Sequence, residues 1–132
     1  MAKYLLDTTV LIDILRGRES VLQPLEALGS EGGHRFGVCA VNVAEVFSGM
    51  LEQERPATER LLASLLLWAI PYNAARMAGE VRGRLRREGK TISVTDAIVG
   101  AVAVTTDATL LTANVKDFPF PDLRIERLPS AR

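Results

Sequence analysis

Three short apolar runs in this chain each lead, within a few residues, to an acidic residue near the start of a helical or polar segment. Apolar runs of this length, separated by helical patterns, predict buried strands of a parallel sheet. The carboxyl ends of parallel strands meet at one edge of the sheet, so the acids behind them are expected to converge there. The runs are KYLL, RFGVCAV and TLLT, and the acids that follow them are Asp7, Glu45 and Asp117.

Helical periodicity fills the segments between these runs. On the helix that Asn42 is predicted to open, Glu45 projects from the first turn, opposite the apolar face. A fourth acid, Asp96, stands at the start of a segment that is apolar on every side. Strands alternating with helices predict an α/β fold with a mostly parallel central sheet and helices on both faces. Helices are expected after Asp7, over about 20–29, from Asn42, from Pro56 to about Trp68, from about Asn73 to Glu88 and in TISVTDAIVGAVAV, whose residues 97–104 are apolar on every side. A last strand is expected near 124–126.

The length of 132 residues predicts a single domain covering 1–132 that buries a core of its own. Hydrophobic residues make up 48% and charged residues 24% of the chain, which argues against disorder. Asp7 and Asp13 interrupt the apolar amino terminus, so no secretion signal is expected. The apolar stretch from Leu61 to Ile70 is far shorter than the roughly 20 residues of a membrane span. The single Cys39 is compatible with a reducing compartment, and the expected location is cytoplasmic.

Several classes of chemistry are disfavoured by what the chain contains. One Cys and one His exclude a four-ligand Cys/His zinc site, and no phosphate-binding loop, nucleophile elbow or dinucleotide fingerprint is present. Sixteen basic residues balance sixteen acidic ones, so any attraction to nucleic acid must come from a local patch. The arginines between Arg76 and Arg87 are one such candidate, although most are better explained as solvated helix flanks.

Each acid has a structural explanation when it is considered alone. Asp7 can cap the first helix, since an acid at a helix start accepts backbone N–H groups and interacts favourably with the helix dipole. Three pairs have the spacing of a capping box or a close variant: Asn42 with Glu45, Ser93 with Asp96, and Asn114 with Asp117.

Taken together, four acids at one edge of a sheet require a further explanation, because like charges that converge repel one another. A divalent cation would neutralise them, and carboxylate oxygens are the ligands that Mg²⁺ and Mn²⁺ prefer. Such a centre can activate a water for attack on a phosphodiester without any histidine or cysteine. Asp7, Glu45, Asp96 and Asp117 are therefore the predicted metal ligands and catalytic residues.

Four segments resemble the PIN-domain ribonucleases and, within them, the VapC toxins of toxin–antitoxin pairs. YLLDTTVLIDILRG is similar to the first-acid segment of that family and VNVAEVFSGM to its glutamate helix. LRREGKTISVTDAIVGAVAV is similar to its third-acid helix, and TLLTANVKDF to its carboxy-terminal pattern. The segments occur in the family's order and span nearly the whole chain.

The resemblance implies a PIN-like three-layer α/β/α fold and cleavage of RNA by a metal-activated water, leaving a 5′-phosphate and a 3′-hydroxyl. It assigns Asp7, Glu45, Asp96 and Asp117 to Mg²⁺ or Mn²⁺, with Thr9 and Asn114 as supporting polar residues. It also implies a homodimer and an inhibitory VapB-like antitoxin.

Two other functions compete with this interpretation. A catalytically silent PIN-like module would bind RNA or a protein without cutting, but all four acids are present. A haloacid-dehalogenase-like phosphatase is suggested by LLDTTVL, yet position 9 is Thr where that mechanism needs its second acid. Asp13 is interpreted as a solvated or capping acid outside the site.

Overall fold

The computed structural model describes residues 2–129, so Met1 and residues 130–132 at the ends of the predicted domain lie outside the described part. Five strands and six α-helices make up this part of the chain, with two helices after each of the first three strands and none between the last two. The strands are β1 (Lys3–Leu6), β2 (Arg35–Cys39), β3 (Leu66–Trp68), β4 (Thr109–Thr112) and β5 (Arg124–Arg127). The helices are α1 (Thr8–Leu15), α2 (Glu19–Ser30), α3 (Ala40–Gly49), α4 (Arg55–Ala63), α5 (Tyr72–Arg87) and α6 (Val94–Thr105), with short 3-10 turns at Glu52–Glu54 and Val115–Asp117.

The five strands form one sheet in the order β3-β2-β1-β4-β5, and every neighbouring pair is parallel. The first strand of the chain is therefore the central strand of the sheet. Its carboxyl end lies between those of β2 and β4, where the structure continues into α1, α3 and the 3-10 turn at 115–117. The predicted parallel sheet is confirmed, and its order brings the predicted acids of these three connections to one edge.

The core is divided between the two faces of the sheet, because successive side chains of a strand point to opposite faces. Leu5 packs with α5 and α6, while Tyr4 and Leu6 pack on the other side with α1, α2 and α4. Six of the twelve residues of α6 are buried, and all six lie in 97–103, where the sequence is apolar on every side. Helices thus cover both faces, and the predicted α/β/α layering is confirmed.

The predicted helix from Pro56 to Trp68 is wrong in its second half. The helix α4 ends at Ala63, and Leu66–Trp68 forms the edge strand β3 beside β2. Pairing is possible because Gly37 of β2 lets the Trp68 ring approach: an added Cβ would lie 2.9 Å from Trp68 Cζ3. The periodicity of a short apolar run does not distinguish a strand from a buried helix. Here the run forms a strand because it can pair with the free edge of β2.

The start of α3 also differs from the prediction. Cys39 is the N-cap and Ala40 the first helical residue, so Asn42 does not open the helix but lies buried within its first turn. Glu45 consequently lies in the second turn. No helix in the described residues 2–129 is long and apolar enough to cross a membrane.

Candidate active site

Asp7 is a buried, hydrogen-bonded acid at the carboxyl edge of the sheet. It follows β1 directly and caps α1, with Oδ1 accepting the Thr8 N–H at 2.8 Å. Oδ2 accepts the hydroxyls of Thr112 at 2.9 Å and Thr9 at 3.2 Å. Only 5% of Asp7 is exposed. Burial raises the pKa of Asp7 above its ordinary value, against the opposing effect of the three hydrogen bonds, and Glu45 adds a smaller repulsion.

Thr8 connects Asp7 to Glu45. Its hydroxyl donates to Glu45 Oε1 at 2.6 Å and accepts from Asn42 Nδ2 at 2.8 Å. Asn42 is fully buried, and within the described residues its Oδ1 has no hydrogen-bond partner. A buried amide oxygen without a partner carries a desolvation cost. Asn42 thus contacts the exposed Glu45 of the same helix indirectly, through the Thr8 hydroxyl that bonds to both side chains.

Asp96 enters the site from the other side of the sheet on the first turn of α6. Ser93 caps this helix, accepting the Asp96 N–H at 3.0 Å, as the sequence spacing predicts. Partial burial, followed by repulsion from Asp7, raises the pKa of Asp96 to about 6; the Ser93 hydrogen bond opposes the shift, and Asp117 and Glu45 add to it. Asp96 thus interacts electrostatically with each of the other three acids.

Asp117 is the exposed last residue of the 3-10 turn after β4. Two aromatic anchors hold this segment: Phe118 and Phe120 are buried, and the Phe120 ring lies against Gly100 of α6 where a Cβ would overlap it. The predicted cap of Asn114 with Asp117 is wrong, because no side-chain cap hydrogen bond forms there. Asn114 instead donates its backbone N–H to Thr112 Oγ1 at 3.0 Å.

Within the described part of the chain, none of the four carboxylates has a cationic partner. No ion pair among residues 2–129 involves any of the four acids. In the same described residues no three His, Cys, Asp or Glu side chains are close enough together to hold one metal ion as they stand. The all-oxygen donor set and the unmatched negative charge fit a hard divalent cation, although the acids would have to draw closer to chelate it.

Three polar residues at this edge were not among the predicted site residues: Thr8, Asn42 and Thr112. Asn42 and Glu45 have the helical i, i+3 spacing, which is a signal that the sequence does contain, but it was interpreted as a cap. Thr112 gives no local signal, since its contact with Asp7 depends on β4 lying beside β1. Asp13 pairs with Arg18, with Arg18 Nε and Asp13 Oδ1 3.1 Å apart, and its exclusion from the site stays a prediction.

A parallel α/β/α fold with acidic residues outside the carboxyl ends of its strands has the arrangement of an α/β domain that binds its ligand at this edge of the sheet. The sequence matches the family model described as PIN domain over residues 4–121, and the chain belongs to that family.

Individual relatives agree with this assignment. The chain is 32% identical over 121 residues to Ribonuclease VapC19 of Mycobacterium tuberculosis, covering 91% of this chain and 96% of that relative. Its fold is similar to a DNA-bound VapBC structure from Salmonella typhimurium, with a TM-score of 0.81, 23% identity and coverage of 96% and 98% of the two chains. It is also similar to a toxin–antitoxin complex from Klebsiella pneumoniae, with a TM-score of 0.73, 26% identity and coverage of 91% and 94%.

Proposed function

We propose that this chain is a Mg²⁺- or Mn²⁺-dependent endoribonuclease and the toxin of a toxin–antitoxin pair, acting as a single PIN domain. The observation that carries the proposal is the group of four carboxylates at the carboxyl edge of the sheet, none of which has a cationic partner among residues 2–129. The ribonuclease name of the VapC19 relative supports it. A silent binding module is less favoured, since it would have no use for this unmatched charge.

In this proposal Asp7, Glu45, Asp96 and Asp117 hold the divalent ion, which supplies an activated water and neutralises the charge on the phosphodiester. Asp7 is kept in one orientation by its three donors. Thr8 sets the distance between Asp7 and Glu45 by contacting both. Asp96 needs to lose its proton before it can bind an ion, so its raised pKa couples ion binding to pH.

The supporting roles differ between the two predicted polar residues. Thr9 donates to Asp7 and steadies a ligand directly. Asn114 lies two residues beyond Thr112 and acts through its backbone, which fixes the Thr112 hydroxyl. The partners in this proposal are RNA as substrate, a VapB-like antitoxin and a second copy of the chain in a homodimer. Cleavage leaves a 5′-phosphate and a 3′-hydroxyl, and a cytoplasmic location remains a prediction.

The proposal is tested by incubating the purified protein with structured RNA in Mg²⁺, Mn²⁺ or EDTA. We expect cleavage with either ion and none with EDTA, and a loss of about 100-fold or more in Asp7→Asn and in Asp96→Asn. Asp107→Asn is the matched control, because it makes the same chemical change where Asp107 pairs with Arg124 at 2.8 Å. Asparagine also tolerates its left-handed backbone, φ 58°.

Wild-type protein that binds RNA and remains inert with both ions would overturn the nuclease proposal in favour of the silent module. Equal loss of activity in Asp107→Asn would show that the assay reports folding instead of ion binding. Mapping of the cleaved ends distinguishes hydrolysis by water, which leaves a 5′-phosphate, from attack by the RNA 2′-hydroxyl.

A further inference from the structure

A polar cleft of about 670 Å³ opens beside the carboxylates Asp96 and Asp117, which both line it. Its size falls within the roughly 300–1,000 Å³ typical of small-ligand sites, so it can admit a nucleotide unit. The rest of the lining comes from the end of α5, the loop between α5 and α6, and the segment from the 3-10 turn to Pro119. The cleft is thus continuous with one side of the proposed ion site.

Two of the three lysines in the chain, Lys90 and Lys116, line this cleft. Lys116 is exposed and has no carboxylate partner in the described part of the chain; Lys90 is exposed and makes only a loose ion pair with Glu88, with Nζ and Oε1 3.6 Å apart. Neither charge is committed to a strong contact. The arginines between Arg76 and Arg87, the candidate basic patch of the sequence, are not among the described residues that line this cleft.

The backbone holds Lys90 in place at the cleft. Gly89, which follows the C-cap residue Glu88 of α5, adopts a left-handed conformation, φ 76°. Its N–H donates to Arg86 O at 3.0 Å and the Lys90 N–H to Leu85 O at 2.8 Å, a Schellman ending that fixes the chain direction. Farther along the loop, Arg82 Nε donates to Ile92 O at 3.1 Å. One arginine of α5 therefore supports the loop that presents the lysine.

We propose that Lys90 and Lys116 form a phosphate-binding subsite that guides a single-stranded RNA backbone past Asp96 and Asp117. The choice of RNA rests on the proposed function. A polyanion approaching four carboxylates is repelled, and the balanced net charge of the chain offers no general attraction. Two uncommitted lysines at the same cleft supply the local attraction that cleavage at this edge requires. Phosphate contacts position a nucleic acid without reading its sequence.

The subsite is tested by binding of a fluorescent single-stranded RNA in EDTA over a series of salt concentrations. Each lysine that contacts a phosphate contributes about 0.7 to the slope of log affinity against log salt for single strands. We expect the Lys90→Gln/Lys116→Gln double variant to lower the slope by about 1.4, with each single variant binding about fivefold more weakly at low salt. In cleavage assays, KM should rise while kcat stays close to the wild-type value.

Lys3→Gln is the matched control, since Lys3 is the remaining lysine and donates to Thr106 O at the opposite end of α6. That end lies roughly 15 Å from Asp96 by helix rise. An unchanged salt slope in the double variant, or an equal loss in Lys3→Gln, would overturn the subsite. Because binding is measured without a divalent ion, RNA that binds with the expected slope and is never cut would refute only the nuclease proposal. Wild-type protein that fails to bind RNA would refute the subsite.

Discussion

The two edges of the central sheet differ in whether their charged side chains have partners in the protein. At the amino edge, Asp107 pairs with Arg124 and Lys3 donates to a backbone carbonyl, so both charges have protein partners. At the carboxyl edge, four carboxylates have no cationic partner among the described residues, and the pKa of Asp96 is raised to about 6. An edge that only had to be stable would resemble the first. The unmatched charge at the second lowers the stability of the ion-free protein and leaves the acids available to a ligand.

After replacement of an acid itself, the largest expected effect comes from weakening the support of Asp7. Thr112→Val removes the hydroxyl 2.9 Å from Asp7 Oδ2 while keeping nearly the same shape. We expect kcat/KM for RNA to fall 10- to 100-fold, as is usual for groups that orient a metal ligand. Thr105→Val is the control, because that hydroxyl bonds only within α6. Equal effects of the two substitutions would argue against a positioning role.

A smaller effect is expected from Asn42→Ala, which frees the Thr8 hydroxyl and with it Glu45. We expect activity to fall about tenfold. The free energy of unfolding should change by less than about 1 kcal/mol, since the lost hydrogen bond is offset by removal of a buried amide oxygen without a partner. Kinetics and urea unfolding of the same preparation separate the two effects. A large loss of stability with unchanged kcat would make Asn42 a purely structural residue.

The stability of the carboxyl edge should depend on pH, because of Asp96. The folded-state pKa of Asp96 is raised, so its contribution to stability is complete below about pH 4 and is lost as pH rises through about 6. A fully buried group with this shift would cost about 3 kcal/mol at pH 7. Asp96 is only partly buried, and screening reduces the cost to about 1 kcal/mol. In EDTA, Asp96→Asn should therefore be more stable than wild type at pH 7 and equal to it at pH 4.

Adding Mg²⁺ at pH 7 should reverse that order, because an ion that binds only the folded wild type stabilises it by mass action. Thermal unfolding in EDTA and in Mg²⁺ provides the comparison. If the wild type is instead more stable than Asp96→Asn in EDTA at pH 7, burial and repulsion do not raise the pKa of Asp96.

The smallest effect is expected at the amino edge. Asp107→Asn breaks an exposed ion pair with Arg124, and such pairs contribute about 0 to 1 kcal/mol. Mg²⁺ should raise the stability of this variant by as much as it raises that of the wild type, as measured by the same thermal unfolding. A Mg²⁺ response that disappears in this variant would remove the contrast between the edges.

The elements that the sequence predicted well are those encoded over a few neighbouring residues. The strands of β1, β2 and β4 and the all-apolar helix α6 follow from periodicity and length, and the Ser93 cap follows from its spacing to Asp96. The same local reasoning failed for β3 and for Asn42. In both cases the deciding partner lies far along the chain, at β2 for the strand and at Thr8 for the amide.

The sequence by itself determined which acids follow the strands, and the parallel arrangement that its alternating pattern implies brought them to one edge. Only the tertiary structure decided how those acids are held. Asp7 and Thr112 are 105 residues apart and meet because β4 pairs with β1. Lys90 and Lys116 share a cleft only because the loop before α6 packs beside the turn after β4. Helical or strand periodicity and helix caps are free-energy preferences of neighbouring residues. Contacts between distant residues depend on strand order and packing, which no short segment encodes.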